Sequence, residues 1–414
     1  MIPKTPWLLL PLALAGCQAL PTVVAEPPPA FMIGDAGRVR AHLLSVPPAS
    51  RLAAGSADRP AIAWNAAANE FLVAWVVPGT EYPIQSALYA QRVGPDGGLR
   101  GPTVLVDDDT KLGGHVEVGL AYDGHHHEYL AVWGEVGGGP ASDNAVGQRL
   151  TATGTPTGPK LDLGSHGAGY DARPAVAYDP RDDRYLVVST ETVSTVPGGT
   201  SIPTSVPLPI GMWALYGDTS GTTLAWDAAT DGFVGAGASP EVTPDILVAR
   251  RFTSTGVTTA AGTLTTAGAH PAIAYSTKDH AYVLAYDAAG PGGRDVYARR
   301  LAPAGTPSAA TALGVGVAAG TQMAPALAYN QGYDRFLVDW TDARGDSLIF
   351  GQRVGAATPG LYLLGTNAGL DPAADAAPKG APAIAYSETS HAFLTAYTVA
   401  ELDHTYVMGK LAAP

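Results

Sequence analysis

The sequence predicts an all-β protein, a seven-bladed β-propeller with four-stranded antiparallel blades. Three observations predict it. One short phrase returns seven times, each return is followed by segments of strand length, and 50 glycines and 35 prolines favour turns over long helices. Because the third repeat is irregular, six or eight blades stay open as alternatives.

The recurring phrase is an aliphatic residue, an alanine and an aromatic residue, closed by Asn, Asp or Ser and preceded in five cases by Pro-Ala. Its alanines lie 58, 56, 48, 49, 54 and 57 residues apart. They are Ala63, Ala121, Ala177, Ala225, Ala274, Ala328 and Ala385. Small side chains suit innermost strands that converge on an axis, so we interpret each phrase as the first strand of a blade.

Three further segments follow each phrase. An aromatic-aliphatic run such as Phe71 to Trp75 predicts the second strand, and a basic residue before an apolar one ends the third. A short fourth run follows a Gly-containing turn, as at Thr103 to Val106. The third-strand arginines are Arg92, Arg149, Arg251, Arg300 and Arg353. They lie away from the axis, so we interpret them as structural ion-pairing groups rather than an anion-binding ring.

The two ends of the chain predict ring closure. The last repeat stops after its third strand at Leu411, and Ala41 to Val46 resembles a fourth strand with nothing before it. Pairing of the two removes the exposed edges of an open array, so residues 36–414 are expected to form one closed domain. In the third repeat, Val196 to Pro209 is rich in proline, and a loop in place of its outer strands is an alternative.

Residues 1–16 have the pattern of a secretory signal. Lys4 precedes an apolar run, Leu8 to Leu14, that is too short to cross a bilayer, and small residues lead to Cys17. Leu-Ala-Gly-Cys17 resembles the lipobox of bacterial lipoproteins, which implies cleavage before Cys17 and its acylation. An ordinary signal peptide with an accidental cysteine is the alternative. Residues 17–35 are then a proline-rich tether. Lipoproteins retained in the inner membrane usually have Asp directly after the cysteine, so Gln18 resembles the pattern of lipoproteins sent to the outer membrane.

Residues 60–414 resemble a repeat common in bacterial secreted proteins and lipoproteins, with Pro-x-aliphatic-Ala-Tyr-Asn, Tyr-Leu-Val-x-Trp and Gln-Arg-Leu segments. The resemblance implies a propeller in the cell envelope but no activity, since such propellers serve many functions. Catalytic signatures such as the sialidase Asp box, a Gly-x-Ser-x-Gly elbow or a P-loop are missing from the sequence. A net charge of −13 argues against binding of nucleic acid.

The candidate binding residues precede the innermost strands, at the expected mouth of the central channel. A position with a purely structural role would have the same kind of residue in every blade. The position before the innermost strand instead varies between charged, polar and small residues. The predicted ligand-binding residues are Arg59, Glu117, Arg173 and His270, with Tyr170 and Asp171 from a loop feeding the same face. A water-filled, salt-bridged channel mouth is the alternative.

No metal or other cofactor is predicted. His125-His126-His127 falls in a turn between first and second strands, where three consecutive side chains point in different directions, so we interpret it as a solvated turn. Asp107-Asp108-Asp109 precedes the second innermost strand and could hold calcium, but it lacks the alternating Asp spacing of calcium loops.

The favoured function is a lipid-anchored envelope module, more in keeping with binding than with catalysis. It would attach to the membrane through its N-terminal lipid and hold a protein, peptide or glycan partner at the mouth. The alternative is a carbohydrate-active hydrolase or lyase that uses Glu117 and Asp171 with His270 or Tyr170.

Overall fold

The structure is a computed structural model that describes residues 31–34, 59–77, 86–108, 115–135, 143–166, 173–189, 192–199, 204–207, 221–239, 246–308, 311–344, 348–357, 360–370, 379–400 and 405–412. These residues form seven four-stranded antiparallel sheets in a ring, which is a seven-bladed β-propeller. The fold class predicted from the sequence is confirmed. The described residues include no helix with the length and apolar character to cross a membrane.

The blades follow one another along the chain. Blade 1 contains β2 (Ala61–Asn65), β3 (Glu70–Val77), β4 (Ala87–Val93) and β5 (Leu99–Asp107), and blade 2 contains β6 (His115–Asp123), β7 (Glu128–Glu135), β8 (Asp143–Thr151) and β9 (Pro156–His166). Blade 3 contains β10 (Ala175–Asp179), β11 (Arg184–Val188), β12 (Thr192–Pro197) and β13 (Thr204–Pro207). Blade 4 contains β14 (Thr222–Asp227), β15 (Gly232–Ser239), β16 (Ile246–Thr253) and β17 (Thr258–Ala267).

The last three blades have the same order of strands. Blade 5 contains β18 (Ala269–Ser276), β19 (Ala281–Gly290), β20 (Gly293–Leu301) and β21 (Leu313–Gly316). Blade 6 contains β22 (Gln322–Asn330), β23 (Arg335–Asp342), β24 (Leu348–Ala357) and β25 (Gly360–Gly369). Blade 7 contains β26 (Ala383–Ser387), β27 (Ala392–Ala400), β28 (Thr405–Ala412) and β1 (Phe31–Gly34).

The recurring phrase lies in the innermost strand of every blade. In β2 the alanines Ala61 and Ala63 are buried, and Ile62 and Trp64, which alternate with them, are partly exposed, because alternate side chains of a strand point to opposite sides. Each innermost strand contacts that of the next blade, and β26 contacts β2, so the ring is complete.

The last residue of the phrase holds the turn into the second strand. Asp123 Oδ1 accepts hydrogen bonds from the backbone N–H groups of His125 and His126, at 2.7 and 3.0 Å. Asn and Ser at the same position accept equivalent hydrogen bonds from the backbone of their turns, as Asn65 and Ser276 show. The phrase ends in Asn, Asp or Ser because the side chains of all three offer an oxygen acceptor. We call the ends of the blades that carry these turns the turn face, and the opposite ends the mouth face.

The chain's beginning closes the ring, but not with the predicted segment. β1 pairs antiparallel with β28, Phe31 opposite Gly409. Closure is therefore confirmed, whereas the prediction of Ala41 to Val46 as the closing strand is wrong. That stretch lies outside the described residues, and the paired strand falls within the expected tether. The error has a physical reason. Phe31–Gly34 and Ala41 to Val46 are both short segments with apolar residues ahead of the first phrase. An outermost strand pairs with only one neighbour, so its sequence pattern does not distinguish the two.

The irregular third repeat is a complete blade. β12 pairs with β11 and β13 pairs with β12, so no loop replaces the outer strands. Pro197 and Pro207 stand at the ends of these strands, where a missing backbone N–H is tolerated.

Third-strand arginines form ion pairs near the turn face, as their structural interpretation requires. Arg92 Nη1 lies 3.1 Å from Glu70 Oε1, and Arg149 pairs with Glu128. These carboxylates belong to the first residues of the second strands.

The second strands supply most of the core between blades, and Trp75, Trp133 and Trp340 are fully buried there. One position breaks the apolar pattern. Asp339 in β23 is fully buried where blades 1 and 5 have Ala74 and Ala285. Burial raises the pKa of Asp339 to about 7, although a hydrogen bond from Thr395 acts in the opposite direction. That bond, Thr395 Oγ1 to Asp339 Oδ2 at 2.5 Å, crosses from blade 7 to blade 6.

Candidate functional site

The mouth of the channel is built by the residues that precede the innermost strands or interrupt their first pairs. Glu117, His270 and Ala324 adopt positive φ angles of 38°, 47° and 52°, and each lies at a break in the pairing between the first two strands of its blade. Gly221, in the corresponding place of blade 4, has a φ of 73°. A bulge at these positions turns the side chain out of the strand's alternation.

Glu117 reaches across blade 3. Its Oε2 lies 3.5 Å from Arg173 Nη1, and both side chains are largely buried. The other carboxylate oxygen packs against Gly221 so closely that a Cβ there would lie 2.5 Å from Oε1. Thr222 Oγ1 donates to the Arg173 carbonyl oxygen at 2.6 Å and joins the next strand to the group. Glycine at 221 thus leaves the space that the carboxylate occupies.

On the far side of the ring, Asp287 organises a second charged group. His270 Nδ1 lies 2.6 Å from its Oδ2, the Ala324 backbone N–H donates to the same oxygen at 2.8 Å, and Arg294 pairs with Oδ1. Burial by itself would raise the pKa of Asp287. The hydrogen bond from His270 and the charges of His270 and Arg294 outweigh burial, so the pKa lies below its usual value. Asp287 is therefore ionised at neutral pH.

Arg59 is within electrostatic range of both groups. Burial lowers the pKa of its guanidinium, whereas the negative charges of Glu117 and Asp287 raise it. Glu117 belongs to blade 2 and Asp287 to blade 5, so carboxylates of two different blades act on Arg59, which precedes the innermost strand of blade 1. Arginine keeps its positive charge at neutral pH even when its pKa is lowered.

The five charged groups nearest the innermost strands at the mouth include one more positive than negative group. Three guanidinium groups, on Arg59, Arg173 and Arg294, face two carboxylates, on Glu117 and Asp287. The whole chain has a formal charge of −13, whereas these five groups sum to +1. Guanidinium groups bind carboxylate and phosphate through paired N–H donors.

Of the six residues that the sequence singled out, Glu117 and Arg173 form an ion pair, His270 bonds to Asp287, and Arg59 is within electrostatic range of Glu117 and Asp287. Tyr170 and Asp171 lie outside the described residues, and so does Cys17. Sequence reasoning missed Asp287 and Arg294, which belong to the second and third strands of blade 5 rather than to a first strand.

A separate polar cluster joins blades 1 and 2 at the mouth face. Ser86 Oγ donates to His115 Nδ1 at 2.5 Å and accepts a hydrogen bond from the His115 backbone N–H, and His115 Nε2 donates to Asp107 Oδ2 at 2.8 Å. Serine, histidine and aspartate in a row also occur in hydrolases. Here Ser86 and His115 are buried, and their bonds link two strands of blade 1 to β6, so we assign the cluster a role in joining the blades.

The same cluster contains Asp107, the first residue of the acidic run for which calcium binding was an alternative. Lys160 Nζ lies 2.8 Å from Asp107 Oδ2 and 2.6 Å from Glu135 Oε1. A lysine ammonium therefore supplies a positive charge beside Asp107, and Asp109 lies outside the described residues. The absence of a cofactor stays a prediction at this place.

Comparisons with known proteins give the fold. No protein-family model matches the chain, and no curated protein matches it. Among solved structures, hydrazine synthase of Kuenenia stuttgartiensis is 7% identical with a TM-score of 0.50, and the match covers 85% of this chain and 98% of that one. The Dos1 propeller is 11% identical with a TM-score of 0.47 and coverages of 86% and 92%. An α-L-arabinofuranosidase of Fusarium graminearum is 9% identical with a TM-score of 0.47 and coverages of 93% and 98%.

Proposed function

We propose that this propeller is a binding module of the bacterial cell envelope, held to the membrane by a lipid on Cys17, and that its mouth binds an anionic group of a protein, peptide or glycan partner. The observation that carries the binding site is the group of guanidinium side chains at the mouth, where Arg173 pairs with Glu117, Arg294 pairs with Asp287, and Arg59 feels the charge of both carboxylates. The lipid anchor rests on the sequence resemblance around Cys17 alone.

The charge arrangement supports binding more than hydrolysis. A glycosidase needs one carboxyl group that is protonated in order to act as general acid. Asp287 is held ionised by His270 and Arg294, and Glu117 is ion-paired with Arg173. These two carboxylates are therefore arranged to fix arginines in place rather than to donate a proton.

Matched probes test the proposed preference for negative charge. Polygalacturonate is compared with its methyl ester, and a peptide with a free C-terminal carboxylate is compared with its amide. We expect calorimetry to show binding of at least one charged probe, weaker binding of its neutral partner, and a decrease of affinity with salt. Equal affinity for charged and neutral probes would contradict the proposal.

Variants test the place of binding. Arg59→Gln removes the central charge and is expected to lower the affinity about tenfold or more, since hydrogen bonds to charged groups contribute about 1.5–3 kcal/mol. Arg92→Gln is the control, because Arg92 belongs to the same blade but pairs with Glu70 at the turn face. An equal loss in both variants would place the ligand elsewhere.

Two further measurements look for a natural partner and test the alternative enzymatic activity. A partner captured from envelope extract is expected to be lost when Arg59, Glu117 and Arg173 are all changed to alanine. The hydrolase or lyase alternative predicts new reducing ends or unsaturated products from polysaccharides incubated with the purified chain. Such products, absent from a Glu117→Gln variant, would favour the enzyme instead.

A further inference from the structure

Four metal-binding side chains meet on the turn face, at the junction of blades 2 and 3. Asp123 ends β6, His125 and His126 lie in the turn that follows, and Asp183 lies in the equivalent turn of blade 3. Ligand atoms of Asp123, His125 and Asp183 all lie within 4.8 Å of one another. This place is on the face opposite the mouth and is independent of the proposed function.

The distances between these atoms suit a single ion. His126 Nδ1 lies 2.9 Å from Asp123 Oδ2 and 3.4 Å from Asp183 Oδ1, and His125 Nδ1 lies 3.6 Å from Asp183 Oδ1. Zinc binds histidine nitrogen and aspartate oxygen at about 2.0–2.2 Å in tetrahedral geometry, so two ligands of one ion lie about 3.4 Å apart. The three printed separations, 2.9, 3.4 and 3.6 Å, lie near this value.

We propose that Asp123, His125, His126 and Asp183 form a binding site for a divalent transition metal, with Zn²⁺ as the ion that the nitrogen and oxygen ligands fit best. The Tyr178 hydroxyl now donates to Asp183 Oδ1 at 2.7 Å and lies 3.2 Å from His125 Nδ1, so the ion displaces this hydroxyl and the hydrogen bond between His126 and Asp123. The sequence interpretation of a solvated turn rested on the different directions of three consecutive histidines. The structure resolves this difficulty, because blade 3 contributes Asp183 and the third histidine is not required.

That third histidine has another partner. His127 Nδ1 forms a 3.0 Å hydrogen bond with Tyr122 OH, and His127 adopts a positive φ of 55°. Blades 5 and 7 repeat this arrangement, with His280 bonded to Tyr275 and His391 bonded to Tyr386. A histidine at the last position of the turn is thus a feature of the repeat, whereas His125 and His126 are specific to blade 2.

Two features hold the ligands in place before an ion arrives. Asp123 is fully buried, and its Oδ1 is fixed by the backbone of the turn, which leaves Oδ2 directed to His126. The connection after β12 covers the other side of the His126 imidazole. A Cβ at Gly198 would lie 2.8 Å from His126 Nδ1, and one at Gly199 would lie 3.3 Å from Nε2. Glycines there let the backbone pass directly over the imidazole.

The site is open to ions from solvent. The side chains of His125 and His126 are 54% and 39% exposed, and that of Asp183 is 40% exposed. Blades 2 and 3 each supply ligands, so a bound ion joins two neighbouring blades. Binding to the folded state alone raises the stability of the ring according to the ion's affinity and concentration.

The test uses the full mature chain, purified with an affinity tag that contains no histidine and treated with a chelator. Titration with ZnCl₂ is followed by calorimetry, and the thermal midpoint is measured with and without Zn²⁺. Co²⁺ serves as a spectroscopic probe, because tetrahedral Co²⁺ absorbs visible light much more strongly than the octahedral ion. The variants are His126→Ala and Asp183→Asn, with His127→Ala as the control from the same turn.

We expect one Zn²⁺ per chain, a raised thermal midpoint and a tetrahedral Co²⁺ spectrum. Each ligand variant should raise the Kd for Zn²⁺ at least about tenfold, while His127→Ala should leave it within about twofold. The midpoint without Zn²⁺ shows that the variants are folded. Absence of Zn²⁺ binding by the unaltered chain, or an equal effect of His127→Ala and His126→Ala, would overturn the proposal.

Discussion

Replacing Asp339 by asparagine should make the stability of the propeller less dependent on pH. Asp339 is fully buried between blades 6 and 7, and its Oδ1 packs against Gly351, where a Cβ would lie 2.5 Å away. Its pKa is about 7 in the folded protein, against an ordinary value of 3.8. The folded state therefore holds a proton on this carboxyl group over a range of pH in which the unfolded chain has lost it.

The sign of the effect follows from this difference. Below pH 3.8 both states are protonated, and the carboxyl group has no influence on the balance between them. As the pH rises from 3.8 through about 7, the unfolded state ionises first, so the wild-type chain loses up to about 4 kcal/mol of stability. Asparagine does not titrate. The difference in stability between Asp339→Asn and wild type should therefore grow by about 3 kcal/mol between about pH 5 and about pH 8.5, in favour of asparagine.

The assay is urea unfolding followed by tryptophan fluorescence at the two pH values. Asp339→Ala, which installs the residue of blades 1 and 5, should show the same change with pH even if its absolute stability differs. Asp96→Asn is the control, because Asp96 lies in an exposed turn and is ionised in both states at both pH values. A stability difference for Asp339→Asn that stays within about 0.5 kcal/mol across this range would refute the reasoning.

Three further substitutions test other parts of the structure. Gly221→Ala should lower the free energy of unfolding by about 2 kcal/mol or more, and Gly158→Ala, also at positive φ but with open space, by only about 1 kcal/mol, as measured by urea unfolding. Ser86→Ala should cost about 1–3 kcal/mol because it leaves buried partners unsatisfied, with exposed Thr153→Ala as a neutral control. Cys17→Ser should abolish palmitate labelling and release the protein from the membrane fraction; unchanged labelling would contradict the lipid anchor.

The regular part of the fold could be predicted because one physical constraint repeats in it. Innermost strands need small residues such as Ala63, and buried second strands need large apolar residues such as Phe71, so both positions recur at the period of the blade. Outer strands have no such constraint. β5 and β25 are largely exposed, and β1 was predicted in the wrong segment for the same reason.

The mouth could be predicted only in part. Arg59, Glu117, Arg173 and His270 stand at one place in the repeat, so their departure from it was visible. Asp287 was hidden, because it directly continues an ordinary second strand, Ala281–Gly290, and its partner Arg294 lies beyond the next turn. A buried aspartate at a strand end on the mouth face is the signal that could have revealed it.

Contacts between residues of different blades could not be predicted from the sequence. Asp183 lies nearly sixty residues from His125, and only the packing of blade 3 against blade 2 brings the two turns together. The same is true of Thr395 and Asp339. Side-chain pairs across a blade junction depend on the angle between blades, which the repeat length does not encode.

The pairing of β1 with β28 has a consequence for the way the protein is made. The strand near the start of the chain finds its partner only near the end, so it waits unpaired while six blades and most of the seventh are synthesised. Contacts between such distant segments slow folding, and an unpaired edge can join foreign strands in the meantime. We therefore expect completion of the ring to come late in folding, and a chain that loses its final strand leaves the first one without its native neighbour.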